Sequence, residues 1–222
     1  MGEPGGGDGR PLIAILDYGI GNLRSAQKGF ERAGADARLT ADTGLIADAD
    51  AVVLPGVGHF GTCMRQLDES GLRDTALQAV EADVPFLGIC VGMQMLFEDS
   101  EEAPGVAGLG VFPGTVRFLP EGLPRPQMQW NRLDVVQQSA LLDGLDGEIW
   151  MYFVHSYAAD TEDDFVVATC DYVDDLTAMV ERPGRVWATQ FHPEKSGERG
   201  REFARNFVAQ VTHAGEPSGA PV

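Results

Sequence analysis

The strongest candidate for a nucleophile in this sequence is a cysteine that lies between two glycines. Cys90 lies in the segment GICVG, residues 88–92, with one glycine two residues before it and another two residues after it. An apolar run at 84–89 precedes the cysteine, and a helix-like stretch follows at 92–97. This spacing is typical of a nucleophile elbow, a strained turn from strand to helix in which only glycine-sized residues fit close to the nucleophile.

Such a turn would lift the thiol of Cys90 clear of the sheet and direct the backbone N–H of Val91 toward the same space, where it can stabilise an oxyanion. The positive end of the following helix would favour the thiolate, which is the nucleophilic form. The other two cysteines, Cys63 and Cys170, lack such surroundings, and we interpret both as small apolar core residues. The sequence therefore predicts one reactive cysteine.

A cysteine nucleophile needs a base, which a third group commonly orients. Of the four histidines, only His192 has a carboxylate two residues later, at Glu194. In an extended chain, residues i and i+2 point to the same side, so the carboxylate can hold the imidazole in one tautomer. Taken alone, Cys90 could be a small buried residue and the HPE segment a strand end. Their presence in one chain favours a catalytic triad of Cys90, His192 and Glu194.

The elements around these residues alternate between strands and helices in the first half of the chain. Apolar runs at 12–17, 51–54 and 84–89 each lead into a glycine-rich turn, and helical patterns follow at 23–33 and 64–80. Alternation of this kind predicts βαβ units and a mostly parallel sheet. In open α/β sheets, sites form beyond the carboxyl ends of the strands, which is where the glycine-rich turns lie.

The second half contains strand patterns with short connections, which predict antiparallel strands, followed by a closing helix at 198–211. The strand patterns lie at 111–119, 133–136, 148–154, 166–170, 178–181 and 186–191. We expect a single α/β domain at 12–212, with a central mostly parallel sheet flanked by helices and antiparallel strands in the C-terminal half. Residues 1–11 and 213–222 are expected to be flexible tails.

Composition excludes several classes of function. The 222 residues carry a net charge of −18, which argues against binding to nucleic acid or to anionic membranes. No apolar run approaches the roughly 18 residues that cross a bilayer. The three cysteines form no CxxC pair, so we expect no disulfide framework, no metal site and no cofactor, and a reducing cytosol as the location.

The segments GICVGMQ at 88–94 and QFHPEKSG at 190–197 resemble the class I (triad) glutamine amidotransferases. Four further segments narrow the resemblance to the glutaminase subunits of imidazole glycerol phosphate synthases, from histidine biosynthesis. These are DYGIGNL at 17–23, LPGVG at 54–58, the pair Trp130-Asn131 preceded by Met128, and YFVHSY at 152–157.

The resemblance implies that Cys90 attacks the side-chain amide of L-glutamine, that His192 protonates the departing ammonia and later activates water, and that Glu194 orients His192. Glutamate is the other product. The resemblance also implies two further sets of residues. The oxyanion would be bound by Val57, Gly58 and Val91. The glutamine pocket would be lined by Gly56, Gln94, Ser156 and Tyr157.

The resemblance further implies a heterodimer with a (β/α)8-barrel cyclase, which receives the ammonia and forms imidazole glycerol phosphate and AICAR. The residues expected to face this partner are Asn22, Met128, Trp130, Tyr152 and Lys195. Glycines on both sides of Val57 make rotation of its backbone amide easy. We therefore expect the chain alone to be a poor glutaminase.

Three alternatives stay open. The first is a thiol analogue of the α/β-hydrolases, although in that family the acid precedes the histidine, whereas here Glu194 follows His192. The second is a non-catalytic subunit that only regulates a barrel partner. The third is a glutaminase subunit that supplies ammonia to a different synthase. The triad residues are compatible with the third alternative, and only the subfamily segments argue against it.

Overall fold

The computed structural model describes residues 9–21, 23–183 and 185–212. The tails expected at 1–11 and 213–222 lie outside these residues, apart from 9–11, and so does Asn22. Within these ranges, the first element is a strand that begins at Leu12 and the last is a helix that runs to Thr212.

The helices and strands in these ranges follow one another in a mixed order. The strands are β1 (Leu12–Leu16), β2 (Asp36–Thr40), β3 (Ala51–Gly56), β4 (Phe86–Cys90), β5 (Asp99–Ser100), β6 (Thr115–Phe118), β7 (Gln127–Arg132), β8 (Asp134–Val135), β9 (Trp150–His155), β10 (Tyr157–Asp160), β11 (Val166–Tyr172), β12 (Asp174–Arg182) and β13 (Val186–Thr189). The α-helices are α1 (Arg24–Arg32), α2 (Thr43–Ala47), α3 (Phe60–Glu69), α4 (Leu72–Glu81), α5 (Val91–Met95) and α6 (Gly197–Thr212). Short 3₁₀ helices lie at Ala140–Leu142, Asp163–Phe165 and Pro193–Lys195.

The largest sheet has the strand order β2-β1-β3-β4-β13-β12-β11-β8. Its first five strands run parallel to one another, whereas β12, β11 and β8 join by antiparallel pairing. This arrangement confirms the predicted α/β class, with parallel strands first and antiparallel strands in the C-terminal half. Two smaller sheets have the orders β10-β6-β5 and β7-β9.

Strand β4 lies between β3 and β13, and this position decides where the site forms. Ile89 on β4 pairs with Thr189 on β13, so both strands end at the same edge of the sheet. The strand interiors are fully buried in β1, β3, β4 and β13, because their apolar residues face helices on both sides of the sheet. Among these helices, α1 and α6 pack together through Phe30 and Phe207, whose ring centroids lie 5.6 Å apart.

The structure corrects several predicted boundaries. The single helix predicted at 64–80 is two helices, because Gly71 adopts a left-handed conformation with φ of 75° between them. Of the strand predicted at 111–119, only the residues of β6, Thr115–Phe118, form a strand. Strands β2, β5, β7 and β10 and helix α2 were not predicted. Within the described ranges, no helix combines the length and the apolar character needed to cross a bilayer.

Candidate active site

Cys90 ends β4 and immediately precedes α5, as the elbow pattern predicted. Its backbone has φ of 56° and ψ of −114°, a conformation that non-glycine residues rarely adopt. Backbone strain of this kind persists only where the surroundings hold it in place. The side chain is 4% exposed, and it lines a cavity of about 360 Å³. The thiol is therefore shielded on most sides yet reachable from the cavity.

The glycines around Cys90 are required by close backbone packing. The elbow pattern predicts that Gly88 and Gly92 lie close together, and a Cβ on Gly88 would lie 3.0 Å from the carbonyl oxygen of Gly92. A Cβ on Gly92 would instead overlap the carbonyl oxygen of Leu54 on β3. A Cβ on Gly56 would lie 2.6 Å from the carbonyl carbon of Val91. The elbow is thus packed against the end of β3, which the sequence pattern did not indicate.

His192 and Glu194 form the expected pair, with Nδ1 of His192 lying 2.8 Å from Oε1 of Glu194. The local geometry differs from the prediction, however. His192 is extended, but the 3₁₀ turn Pro193–Lys195 begins directly after it. The carboxylate of Glu194 therefore reaches the imidazole around a tight turn, whereas the sequence pattern predicts an extended segment from His192 to Glu194.

Hydrogen bonds to the backbone of His192 fix its position relative to β9. Its N–H donates to the carbonyl oxygen of Tyr152 at 3.0 Å. The hydroxyl of Ser196 donates to the carbonyl oxygen of His192 at 2.6 Å and accepts from the N–H of Tyr152 at 3.0 Å. The backbone of His192 is therefore held against strand β9, which carries Tyr152.

The charge of His192 depends on its neighbours. Burial lowers the pKa of His192, but the interactions with Cys90 and with the Glu194 carboxylate outweigh burial and raise that pKa to about 9. The imidazole is then protonated at neutral pH when Cys90 is a thiolate. Nε2 of His192 has no hydrogen-bond partner in the described part of the chain, so it is available to a group in the cavity that His192 and Cys90 both line.

The cavity collects most of the residues that the resemblance implied. Its wall includes Val57, Gly58, Cys90, Val91, Gln94, Ser156, Tyr157, His192 and Lys195. Gly56 does not line it, because this residue pairs with Cys90 as part of β3 and lies behind the elbow. The wall also includes Glu102, Pro126, Val154 and His155, which sequence reasoning missed.

Two buried glutamines lie next to Cys90. The side-chain amide of Gln94 donates to the carbonyl oxygen of Tyr157 and to Oε1 of Gln190, both at 3.0 Å. Nε2 of Gln190 in turn lies 3.8 Å from Sγ of Cys90. Gln190 was not predicted as a site residue, although a signal was present: it precedes His192 by two residues, the same spacing that led to Glu194.

His155 has a structural position at the edge of the cavity. Its Nδ1 lies 2.8 Å from the carbonyl oxygen of Tyr157, and its Nε2 lies 2.6 Å from Oε1 of Gln127. Burial is the main reason that the pKa of His155 is lowered to about 4. This histidine holds the carbonyl group of Tyr157, a residue that lines the cavity.

The two remaining cysteines are buried, as expected. Burial raises the pKa of Cys63 to about 11 and that of Cys170 to about 12, so both remain thiols. Cys63 also makes a contact that was not predicted: its Sγ donates to the carbonyl oxygen of Val57 at 3.3 Å.

Four of the five residues expected to face a partner lie near one another, and the fifth, Asn22, lies outside the described residues. Met128 and Trp130 project from β7 and are 63% and 48% exposed. Trp130 pairs with Tyr152 on β9, and their ring centroids are 6.1 Å apart. Lys195 is exposed at the end of the turn that follows His192. We call Met128, Trp130, Tyr152 and Lys195 the ribbon face.

Comparisons with known proteins show the family of this chain. Residues 15–211 match the family model described as glutamine amidotransferase class-I. The imidazole glycerol phosphate synthase subunit HisH of Methanothermobacter thermautotrophicus is 51% identical over 197 residues, covering 89% of this chain and 98% of that protein. The subunit HisH of Syntrophotalea carbinolica is 48% identical over 204 residues, covering 88% and 98%.

The fold is shared more widely than the sequence. The structure of PurLQS from Thermotoga maritima superposes with a TM-score of 0.71, covering 91% of this chain and 99% of that chain, at 19% identity. At this identity the likeness concerns the fold alone. The family match and the HisH relatives show more than the fold, because they rest on sequence similarity over most of the chain. The chain therefore belongs to the class-I glutamine amidotransferases and, within these, to the family of the imidazole glycerol phosphate synthase subunit HisH.

Proposed function

We propose that this chain is the glutaminase subunit of an imidazole glycerol phosphate synthase and that Cys90, His192 and Glu194 are its catalytic triad. The observation that carries the proposal is the His192–Glu194 pair beside the elbow cysteine, in one cavity, in a chain of this family. The substrate is L-glutamine, and the products are glutamate and ammonia.

The proposed chemistry uses Cys90 as the nucleophile and His192 as the general acid and base. The Cys90 thiolate attacks the amide carbon of the glutamine side chain, and the N–H groups of Val91 and of the Val57–Gly58 segment stabilise the oxyanion. Nε2 of His192 donates its proton to the leaving nitrogen, the C–N bond breaks, and ammonia departs from a glutamyl thioester. His192 then takes a proton from water, whose oxygen attacks the thioester and releases glutamate. The proton remains on His192, opposite the regenerated thiolate.

The cavity wall suits an amino-acid substrate. Gln94 and the backbone of Ser156 and Tyr157 supply polar groups, and Gly56 supports the elbow from behind. Glu102 adds a carboxylate, which complements the α-ammonium group of glutamine. We assign the glutamine pocket to Gln94, Glu102, Ser156 and Tyr157.

The ribbon face is the proposed contact with the (β/α)8 cyclase in a heterodimer. Met128 and Trp130 are exposed apolar side chains on adjacent positions of one strand face, which is typical of a protein–protein contact. Ammonia would pass from the cavity to the cyclase, which forms imidazole glycerol phosphate and AICAR. By resemblance we also assign Asn22 to this contact. We keep 12–212 as the amidotransferase domain, and we place the complex in the cytosol.

The test is co-purification and assay of the chain with its host's cyclase. We expect glutamate release and cyclase product with glutamine, at a rate that rises when the cyclase and its ligand are present. Cys90→Ala should abolish glutamate release but retain assembly and the cyclase reaction with ammonia salts. Unchanged glutamate release in Cys90→Ala would refute the assignment of the nucleophile. Assembly with a different synthase would refute the proposed pathway.

A further inference from the structure

The segment 55–58 runs from the end of β3 past the elbow of Cys90, and two side chains hold it from the other side. The hydroxyl of Tyr18 donates to the carbonyl oxygen of Pro55 at 2.5 Å. Sγ of Cys63 donates to the carbonyl oxygen of Val57 at 3.3 Å. The two anchored carbonyls lie on either side of the peptide that joins Gly56 to Val57.

The hydroxyl of Tyr18 and the thiol of Cys63 both keep their protons at physiological pH. Tyr18 is 3% exposed and Cys63 is fully buried. Burial is the main cause that raises the pKa of Tyr18 well above 10 and the pKa of Cys63 to about 11. The two groups also interact with each other, and the Tyr18 hydroxyl lies 3.5 Å from Sδ of Met95 on α5. The pair therefore connects the turn after β1, helix α3 and the helix that follows the nucleophile.

On the side of the elbow, the start of the segment is tightly packed. Gly56 lies so close to the elbow that even a Cβ would meet Val91 and the N–H of Gly92. A shift of Gly56 toward the elbow is therefore blocked, and a shift of the segment away from the elbow would break the bonds to Tyr18 and Cys63. An oxyanion donor stabilises the transition state only when it is held close to the position of the developing charge.

We propose that Tyr18 and Cys63 are positioning residues for the oxyanion site: by fixing the carbonyls of Pro55 and Val57, they set the position of the Val57 amide relative to Cys90. The inference rests on the proposed glutaminase function. It assigns to Cys63 a role beyond that of an apolar core residue, and it gives a function to the tyrosine that opens the glycine-rich turn after β1.

The experiment compares Tyr18→Phe, Cys63→Ala and Cys63→Ser with the wild-type chain, each in complex with the cyclase. Two reactions of Cys90 are measured. Glutamine hydrolysis passes through an oxyanion, whereas alkylation by iodoacetamide displaces iodide directly and does not. Mass spectrometry identifies the alkylated cysteine. Tyr172→Phe is the matched control, because Tyr172 donates to the carbonyl oxygen of Pro124 at 2.6 Å and is also buried.

We expect Tyr18→Phe to lower kcat for glutamine by roughly tenfold or more while KM changes less than about twofold, since only transition-state stabilisation is lost. Cys63→Ala should lower kcat in the same way, and Cys63→Ser, which keeps a donor, should recover most of the loss. Alkylation of Cys90 should stay close to the wild-type rate in all variants, and Tyr172→Phe should change neither reaction.

The outcomes separate two failures. A wild-type complex that releases no glutamate would refute the proposed function itself. An active wild type with unchanged kcat in Tyr18→Phe and Cys63→Ala would overturn only the positioning role. So would variants in which hydrolysis and alkylation fall together, because that pattern indicates general disturbance of the elbow. If Tyr18→Phe does not fold, the Cys63→Ala and Cys63→Ser pair decides alone: equal kcat in the two overturns the inference.

Discussion

The side-chain amide of Gln190 lies 3.8 Å from Sγ of Cys90, although the two residues are a hundred positions apart in the chain. Strand β13 lies beside β4, which brings the residue that follows β13 next to the residue that ends β4. A fully buried amide N–H therefore faces the nucleophile, and it is fixed by the bond from Gln94 to its oxygen.

Gln190→Glu would place a carboxylate oxygen where this amide nitrogen lies, with little change in shape. Because a lost donor or a negative charge beside Cys90 disfavours negative charge on the sulfur, we expect alkylation of Cys90 at neutral pH to slow by roughly tenfold or more. Glutamine turnover at neutral pH should fall in parallel. Gln137→Glu makes the same chemical change at an exposed position and should leave the alkylation rate unchanged; equal rates for both variants would contradict the assigned role of Gln190.

Glu194→Gln tests the orientation and the charge of His192. Since the Glu194 carboxylate helps to raise the pKa of His192 to about 9 against the effect of burial, its loss should lower that pKa. His192 is required in its protonated form as the general acid, so activity disappears as pH rises through its pKa. The upper limb of the kcat/KM profile should therefore move to lower pH, and kcat should fall by roughly 10²- to 10⁴-fold.

The control for this change is Glu202→Gln, which removes a carboxylate that pairs with Arg199 on α6. We expect it to retain both the rate and the pH profile. An upper limb that stays in place in Glu194→Gln would show that the carboxylate does not set the charge of His192.

Gly92→Ala tests the packing of the elbow on β3. The added methyl would overlap the carbonyl oxygen of Leu54, which is backbone and cannot turn away. We expect a loss of unfolding free energy on the order of 3 kcal/mol, measured by denaturant titration. Gly21→Ala is the matched variant, because a Cβ there meets nothing within 4 Å, and it should stay within about 1 kcal/mol of the wild type. Similar stability of the two variants would contradict the close approach.

Trp130→Ala tests the ribbon face. Trp130 is 48% exposed and contacts Tyr152 across the β7–β9 pair, so its loss should leave the fold intact. We expect the affinity for the cyclase to fall about tenfold or more, measured by titration calorimetry. Val136→Ala removes an exposed apolar side chain next to β8, at the edge of the large sheet, and should not affect affinity. A Trp130→Ala chain that binds the cyclase as well as the wild type would exclude this surface as the contact.

The sequence was sufficient for the buried parallel strands and for the elbow. Strands β1, β3, β4 and β13 are continuous apolar runs, since helices cover both faces of the sheet, and such runs are visible without a structure. The spacing around Cys90 and the pair His192–Glu194 are local patterns of the same kind. These features depend on neighbouring residues in the chain.

The missed features depend on contacts between distant segments. Strand β7 reads as polar because four of its six residues are polar, and its two apolar residues, Met128 and Trp130, are exposed whereas Gln127 is fully buried. Its sequence therefore does not show the alternation expected of a strand that packs on a core. Helix α2 is short, and its only signal is Asp42, whose carboxylate accepts from the N–H groups of Gly44 and Leu45. The contact of Cys63 with Val57 and the overlap of Gly92 with Leu54 follow from the packing of β3 beside β4, which no local pattern encodes.

The hydroxyl of Ser196 has a consequence for how this scaffold can be modified. It joins the carbonyl of His192 to the N–H of Tyr152, and the N–H of His192 closes the ring by binding the carbonyl of Tyr152. The backbone segment that carries the His192 imidazole is thereby tied to strand β9 by hydrogen bonds at Tyr152, so the position of the imidazole depends on that strand. A chimaera that exchanges β9 to accept a foreign synthase would have to transplant the segment 192–196 as well, or the imported strand would leave the general acid misaligned.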